Sequence, residues 1–228
     1  MAGKLIERPP LPVALGALTV LSGLIDAVSF LALGQVFTAN MTGNLVLLGF
    51  AATGEPGFDI AASLTALGAF LAGVAIAARM AAALAERVPH RWFVSALSAE
   101  AALTALAALA TFADARYPAV AGLALGMGIR NATVNRLAVP DMTTTVLTRT
   151  VTALAADLAS RSPTDRGTTA RRVVSVAGLV AGAVAGAFLV RHLGAEWVLV
   201  IVTGAQILVA AGHHGHVVLR RRAALPDA

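Results

Sequence analysis

Residues 35–44 read QVFTANMTGN, a run of amides, hydroxyls and glycine set between two long apolar segments. Lipid cannot solvate such a run, and irregular backbone at membrane depth is tolerated only where protein or a water-filled cavity covers it. Roughly 100 residues later, 136–145 read RLAVPDMTTT and repeat the outline: a polar residue, Met, Thr, a small or hydroxylated residue, then an apolar helix. The rest of the chain is arranged around these two stretches.

Of the 228 residues, 58% are hydrophobic and only 13% charged, with a mean hydropathy of +0.81. Soluble domains are about half apolar and about a quarter charged, so the composition predicts an all-α, polytopic membrane protein. A spanning helix needs about 20 residues, which leaves room for about six to eight segments in a single membrane domain, 1–228. The net charge of +5 sits on Lys and Arg gathered at segment ends, as the positive-inside rule requires. Without a soluble basic face, nucleic acid is not an expected partner; the lipid bilayer is. The absence of cysteine removes disulfides, thiolate nucleophiles and Cys-ligated metals. Lys4 and Arg8 precede an apolar run too long for a signal-peptide core, so residues 12–33 read as a retained first span.

The apolar piece 41–53 is too short to cross at about 1.5 Å per residue and reads as a half-helix or re-entrant segment. GEPGFD, 54–59, is a loop by its glycines and proline. Further spans are expected at 60–84, 92–112, 119–137, 173–190 and 197–212, with a polar helix over 141–159 following Pro140 and a charged loop over 161–172. The prediction is therefore about six transmembrane helices plus two polar broken or half-helices.

The two halves, 12–113 and 117–213, match at several places. Gly23, Asp26 and Ala27 answer Gly128, Asn131 and Ala132; Asn40, Met41 and Thr42 answer Asp141, Met142 and Thr143; Trp92 answers Trp197, with Glu100 and Gln206 at similar depths behind them. Such weak internal repeats mark transporter folds. Basic clusters precede the first span and occupy 79–91, 161–172 and the C-terminus. All four lie in the cytoplasm only if neither polar motif crosses completely. The repeats are then inverted, three crossings each, with tails 1–11 and 217–228 cytoplasmic. If both motif helices crossed, the repeats would be parallel.

A site between the motifs would draw hydrogen bonds from Asn40, Thr42, Asn44 and Asn131 and from Asp141, Thr143, Thr144 and Thr145, near helix N-termini suited to anions or polar carbonyls. The plainer reading makes Asn40 and Asp141 N-caps, which does not exclude a ligand. Asp26 and Glu100 are the carboxylates well inside apolar segments, where an ionisable group suggests function; they are candidates for coupling or gating, with Arg130 or Arg136 as the expected partner of Asp26. Small-residue stripes, Gly178, Gly182 and Gly186 and likewise Ala69, Gly73 and Ala77, allow close helix approach; they are compatible with a homodimer without requiring one. His213, His214 and His216 lack nearby carboxylates, and neither a metal nor another cofactor is expected.

GLIDAVSFLALGQVFTANMTGNLVLLG, 23–49, and GIRNATVNRLAVPDMTTTVLTRTVTALA, 128–155, resemble the two motifs of the DUF1275 (YoaK-like) family of bacterial membrane proteins. Arg149 departs from the small residue that the second motif implies. The resemblance implies a six-helix inner-membrane protein and supplies no substrate. The leading expectation is a secondary transporter of a small polar or anionic solute. Alternatives are a passive channel, which needs no protonatable switch, and a membrane-embedded enzyme using Asp26, Asp141 and Glu100. No nucleophile–base pair or metal spacing recommends an enzyme.

Overall fold

The computed structural model describes residues 10–84, 89–137, 147–159 and 166–223. Among the described residues there are eight helices and no strand: α1 Pro10–Ala32, α2 Met41–Ala52, α3 Ile60–Leu84, α4 Pro89–Phe112, α5 Arg116–Leu137, α6 Thr148–Ala159, α7 Arg166–Leu193 and α8 Ala195–Ala223. Five of them (α1, α3, α4, α7 and α8) are long and apolar enough to cross a membrane. The 22 residues of α5 reach about 33 Å at 1.5 Å per residue, also enough to cross. Its polar end lowers its hydropathy, but α3 and α4 pack along it, and Met127, Ile129, Arg130, Thr133 and Val134 are buried. The 12 residues each of α2 and α6 give about 18 Å, short of a hydrocarbon core of about 30 Å.

The chain between α1 and α2 unwinds because Gly34 and Gln35 adopt φ of +103° and +56°, a region that L side chains avoid. The freed backbone is paired locally. The Phe37 amide donates to Asn44 Oδ1 at 2.9 Å, Asn44 Nδ2 donates to the Phe37 carbonyl at 2.6 Å, and Asn40 Oδ1 accepts from the Gly43 amide at 3.2 Å as the N-cap of α2. A β-carbon at Gly43 would meet the Asn40 amide and the Phe37 ring, so this tight entry into α2 needs glycine.

Several boundaries lie outside the sequence expectation. Residues 166–172, expected as charged loop, are the first two turns of α7, and α8 continues past Gly212 to Ala223. At 28 and 29 residues both helices exceed 40 Å by about 1.5 Å per residue, so their charged ends reach the headgroup region, where hydration lets a helix carry charge. Arg172 of α7 also pairs there with Asp157 of α6.

The same seam is built twice. Gly23 of α1 lies so close to α7 that a β-carbon would overlap the Leu179 carbonyl and the Ala183 amide, and Gly182 meets the Val20 carbonyl in return. In the other seam Gly128 of α5 meets the Phe70 carbonyl and the Val74 amide of α3, and Gly73 meets the Leu125 carbonyl. Positions in α1 recur 105 residues on in α5, and those in α3 recur 109 residues on in α7. The remaining packing follows the same exchange: α4 meets α5 as α8 meets α1, α2 lies on α3 as α6 lies on α7, and α4 meets α8 directly. The expected small-residue stripes thus serve contacts inside the chain. The lipid-facing side falls chiefly to α7, only 17% of whose apolar window is buried, against 67% for α1.

One rim is fastened by Arg116 at the start of α5. It pairs with Asp59 before α3, donates to the Tyr117 hydroxyl at 3.0 Å, and lies 3.3 Å from where a β-carbon of Gly34 would sit, just after α1. The Ala62 amide, with help from the Tyr117 hydroxyl and Arg116, holds the Asp59 carboxyl below its ordinary range.

Candidate functional site

A cleft of about 480 Å³ opens where the first polar stretch faces α6. Asp26 of α1, Phe37 and Asn40 of the unwound stretch, Leu147, Thr148, Val151 and Thr152 at and within α6, and Leu179 of α7 line it. Local rules position these groups. Thr148 and Thr152 are four apart and share one helix face. Asn40 is held by its cap, and Phe37 by both backbone bonds to Asn44 and by its ring contact with Phe30 at 5.0 Å. Asp26 reaches the cleft because neighbouring Gly23 lets α1 settle onto α7. The polar groups facing its carboxylate are the Thr38 amide and hydroxyl, yet Asp26 Oδ1 and Thr38 Oγ1 are both buried outside hydrogen-bonding geometry.

A second cluster lies deeper and is closed. Arg130 of α5 donates from Nε to Glu100 Oε2 at 2.8 Å and pairs through Nη2 with Glu100 Oε1. Its Nη1 donates to the Leu18 carbonyl at 2.9 Å and to Ser22 Oγ at 2.7 Å on α1. Gln206 of α8 donates to Glu100 Oε1 at 2.8 Å. Glu100, Arg130, Ser22 and Gln206 are all buried, and the void beside them holds only about 10 Å³. A charge pair away from water survives when its geometry is bidentate and its other hydrogen-bonding positions are largely filled. Here four helices supply the partners, with Arg130 Nη2 held against Glu100 by the ion pair and Gln206 Oε1 left buried outside hydrogen-bonding geometry.

The residues singled out in the sequence therefore separate. Asp26 and Asn40 come together at the cleft. Asn44 is buried, with its amide engaged by the Phe37 backbone, Thr42 is exposed, Asn131 is half-buried on α5, and Arg136 is exposed near the end of α5. Glu100 and Arg130 form the closed cluster, so Arg130 pairs with Glu100 where sequence reasoning proposed Asp26. Asp141, Thr143, Thr144 and Thr145 lie outside the described residues. Among the described residues no group of acidic, histidine or cysteine side chains could hold a metal. Sequence reasoning missed Thr148, Thr152 and Phe37 as cleft residues; the four-residue spacing of the two threonines was the available signal. It also missed Ser22, which reads as an ordinary helix hydroxyl bonding back to the Leu18 carbonyl, as it does at 3.0 Å.

Fold and site together define a polytopic α-helical membrane protein in which the ionisable side chains deep in the described helices lie in an open cleft, for Asp26, and in a closed cluster, for Glu100 and Arg130. The chain belongs to the family described as Protein of unknown function (DUF1275), which it matches over residues 14–212. It is similar to the UPF0700 transmembrane protein YoaK of Bacillus subtilis (strain 168), at 35% identity over 150 residues that make up 64% of this chain and 67% of that protein. No solved structure matches it.

Proposed function

We propose that this chain is a secondary transporter of a small polar solute in the bacterial inner membrane, with both termini in the cytoplasm. The observation that carries the reading is the cleft itself. It is set beside unwound backbone and lined by a carboxylate, an amide and two hydroxyls, and small-solute sites in transporters are formed where helices are interrupted in this way.

The topology supports it. Arg116 touches the end of α1 and the start of α3, so the chain returns after α2 to the side it reached through α1. The first half then crosses three times, and the second half, related by the doubled seam, is inverted. Inverted halves around a central site allow alternating access by rocking one against the other. The basic clusters then fall on the cytoplasmic side, in keeping with the positive-inside rule.

The test is flux in vesicles reconstituted with the purified full-length protein, screened against a panel of small polar metabolites. Asp26→Asn and Asn40→Ala are each expected to lower uptake by about tenfold or more, the effect of losing one strong polar contact. Uptake of a panel solute left unaltered by both substitutions would remove the reading. A passive channel differs by flux indifferent to pH and sodium gradients.

A further inference from the structure

Among the described residues, three ionisable side chains lie deep within the helices: Asp26, Glu100 and Arg130. Arg130 and Glu100 pair with each other: Nε and Nη1 of the guanidinium donate to Glu100, Ser22 and the Leu18 carbonyl, and Nη2 lies against Glu100 in the ion pair. Asp26, one turn along α1 from Ser22, is left with no cation of its own. Arg130 is the charged group that acts on it across α5. α7 offers Leu179 and the Gly182–Ala183 backbone, the unwound stretch Thr38 and Asn40, and α6 Thr148, Val151 and Thr152. Arg149, next to Thr148, is exposed and does not line the cleft. The described cleft therefore carries one acid and no base.

Resting on the transporter reading above, we propose that the solute is a small organic cation, exchanged for a proton at Asp26. An anion would find no cationic side chain among the described lining residues. A bare metal ion needs a close shell of oxygens, and Phe37, Leu147, Val151 and Leu179, half of the lining, provide none. A small organic cation matches both features. Its charge meets the carboxylate, the Asn40 and Thr148 oxygens accept from any N–H it carries, and its apolar body lies on the Leu147, Val151 and Leu179 side chains. The Phe37 ring attracts cations through its π face, and about 480 Å³ is within the range of about 300–1,000 Å³ usual for small-molecule sites.

The exchange balances. In the proposed cycle Asp26 carries a proton while the cleft is empty. When the cation enters, the carboxyl O–H bond breaks, the proton passes to the water on the side from which the cation came, and the carboxylate pairs with the cation. On the far side a proton is taken up and the cation leaves. One monovalent cation moves one way and one proton the other, with no net charge transferred.

The experiment uses the full-length protein in liposomes loaded with a fluorescent pH indicator. Tetramethylammonium, choline and guanidinium chlorides are added outside, with sodium isethionate as the anion control and a neutral metabolite panel alongside. At least one organic cation is expected to make the lumen alkaline, isethionate is not, and Asp26→Asn is expected to abolish the response. Competition with a proton predicts that apparent affinity falls about tenfold for each pH unit of acidification while Asp26 is protonated. Should Asp26→Asn misfold, Phe37→Ala in an otherwise intact cleft is expected to weaken the cation response about threefold to tenfold, as loss of a cation–π contact does. Alkalinisation that survives Asp26→Asn in folded protein, or that is indifferent to pH, overturns the proposal. If an anion or neutral solute enters in an Asp26-dependent manner and no cation does, the proposal falls while the transporter reading stands. If no solute moves in any arm, both fall.

Discussion

Glu100 and Asp26 are both carboxylates deep in apolar helices, and they have opposite surroundings. Around Glu100, side chains from α1, α5 and α8 close on a charge pair and leave almost no void. Around Asp26 the helices part, the polar stretch unwinds and a cleft opens in which no described lining residue is a cation. The difference separates two uses of the same chemistry. A buried acid with a complete set of partners holds helices in register, and one with an incomplete set has room for something that comes and goes.

The strongest way to break that contrast is to take one partner from the closed cluster. Glu100→Ala leaves the Arg130 guanidinium buried and uncompensated, and loss of one member of a buried pair costs about 3–5 kcal/mol. A large drop in thermal midpoint in detergent is expected. Replacing both residues by apolar ones, Glu100→Leu with Arg130→Met, is expected to restore much of it, and a double variant no more stable than the single one would show that the cluster is not a compensated pair. Overpacking the doubled seam comes next. Gly23→Ala beside the cleft and Gly128→Ala beside the closed cluster each push a methyl into a helix backbone, and each is expected to cost about 1–3 kcal/mol. Unequal losses would show that the two seams are less alike than their matched contacts imply.

Asp26→Asn sharpens the contrast from the other side. The change keeps the shape of a side chain whose Oδ1 has no partner, so stability is expected to move by less than about 1 kcal/mol while flux is lost. A destabilisation comparable with that of Glu100→Ala would make Asp26 a structural residue. The smallest effect belongs to the rim. With the Asp59 carboxyl held below its ordinary range, its contribution to stability is complete above the unfolded value of about 3.8 and is lost as pH falls through the lower folded value. Asp59→Asn is therefore expected to flatten the acid limb of a stability–pH curve and to change little at neutral pH, because the group is largely solvated.

Much of this fold was legible in the sequence because bilayer physics is one-dimensional. Apolar runs of spanning length, the short piece 41–53 and the polar stretch before it each declare themselves without reference to any other segment. The close-approach glycines and the Glu100–Gln206 pair were legible too, as matched spacings along the chain. Partner choice was not. Arg130 stands one position before Asn131, the counterpart of Asp26, which made Asp26 the natural guess for its partner, yet the α4–α5 packing brings Glu100 to it from 30 positions away. Asn44 looked like a ligand for the same reason that it serves the backbone. An amide is needed wherever unwound chain must be satisfied, whether by solute or by its own neighbour, and only the folded loop distinguishes the two. The boundaries of α7 and α8 were obscured because charge marks the edge of hydrocarbon, not the end of a helix.

The hydrogen bond from Gln206 to Glu100 crosses the interface where α4 and α8 meet as counterparts. Two identical subunits joined there would be obliged to present the same side chain from both sides. A pair of glutamates would come with a pair of arginines and bury four charges at one contact, and a pair of glutamines would strand both arginines in the membrane. Carrying both halves on one polypeptide frees the two sides to differ, so that an acid can meet an amide donor and one ion pair suffices at this contact. The asymmetry at this contact is thus something that only a joined chain can possess, and it sits where an assembly of equals would be most frustrated.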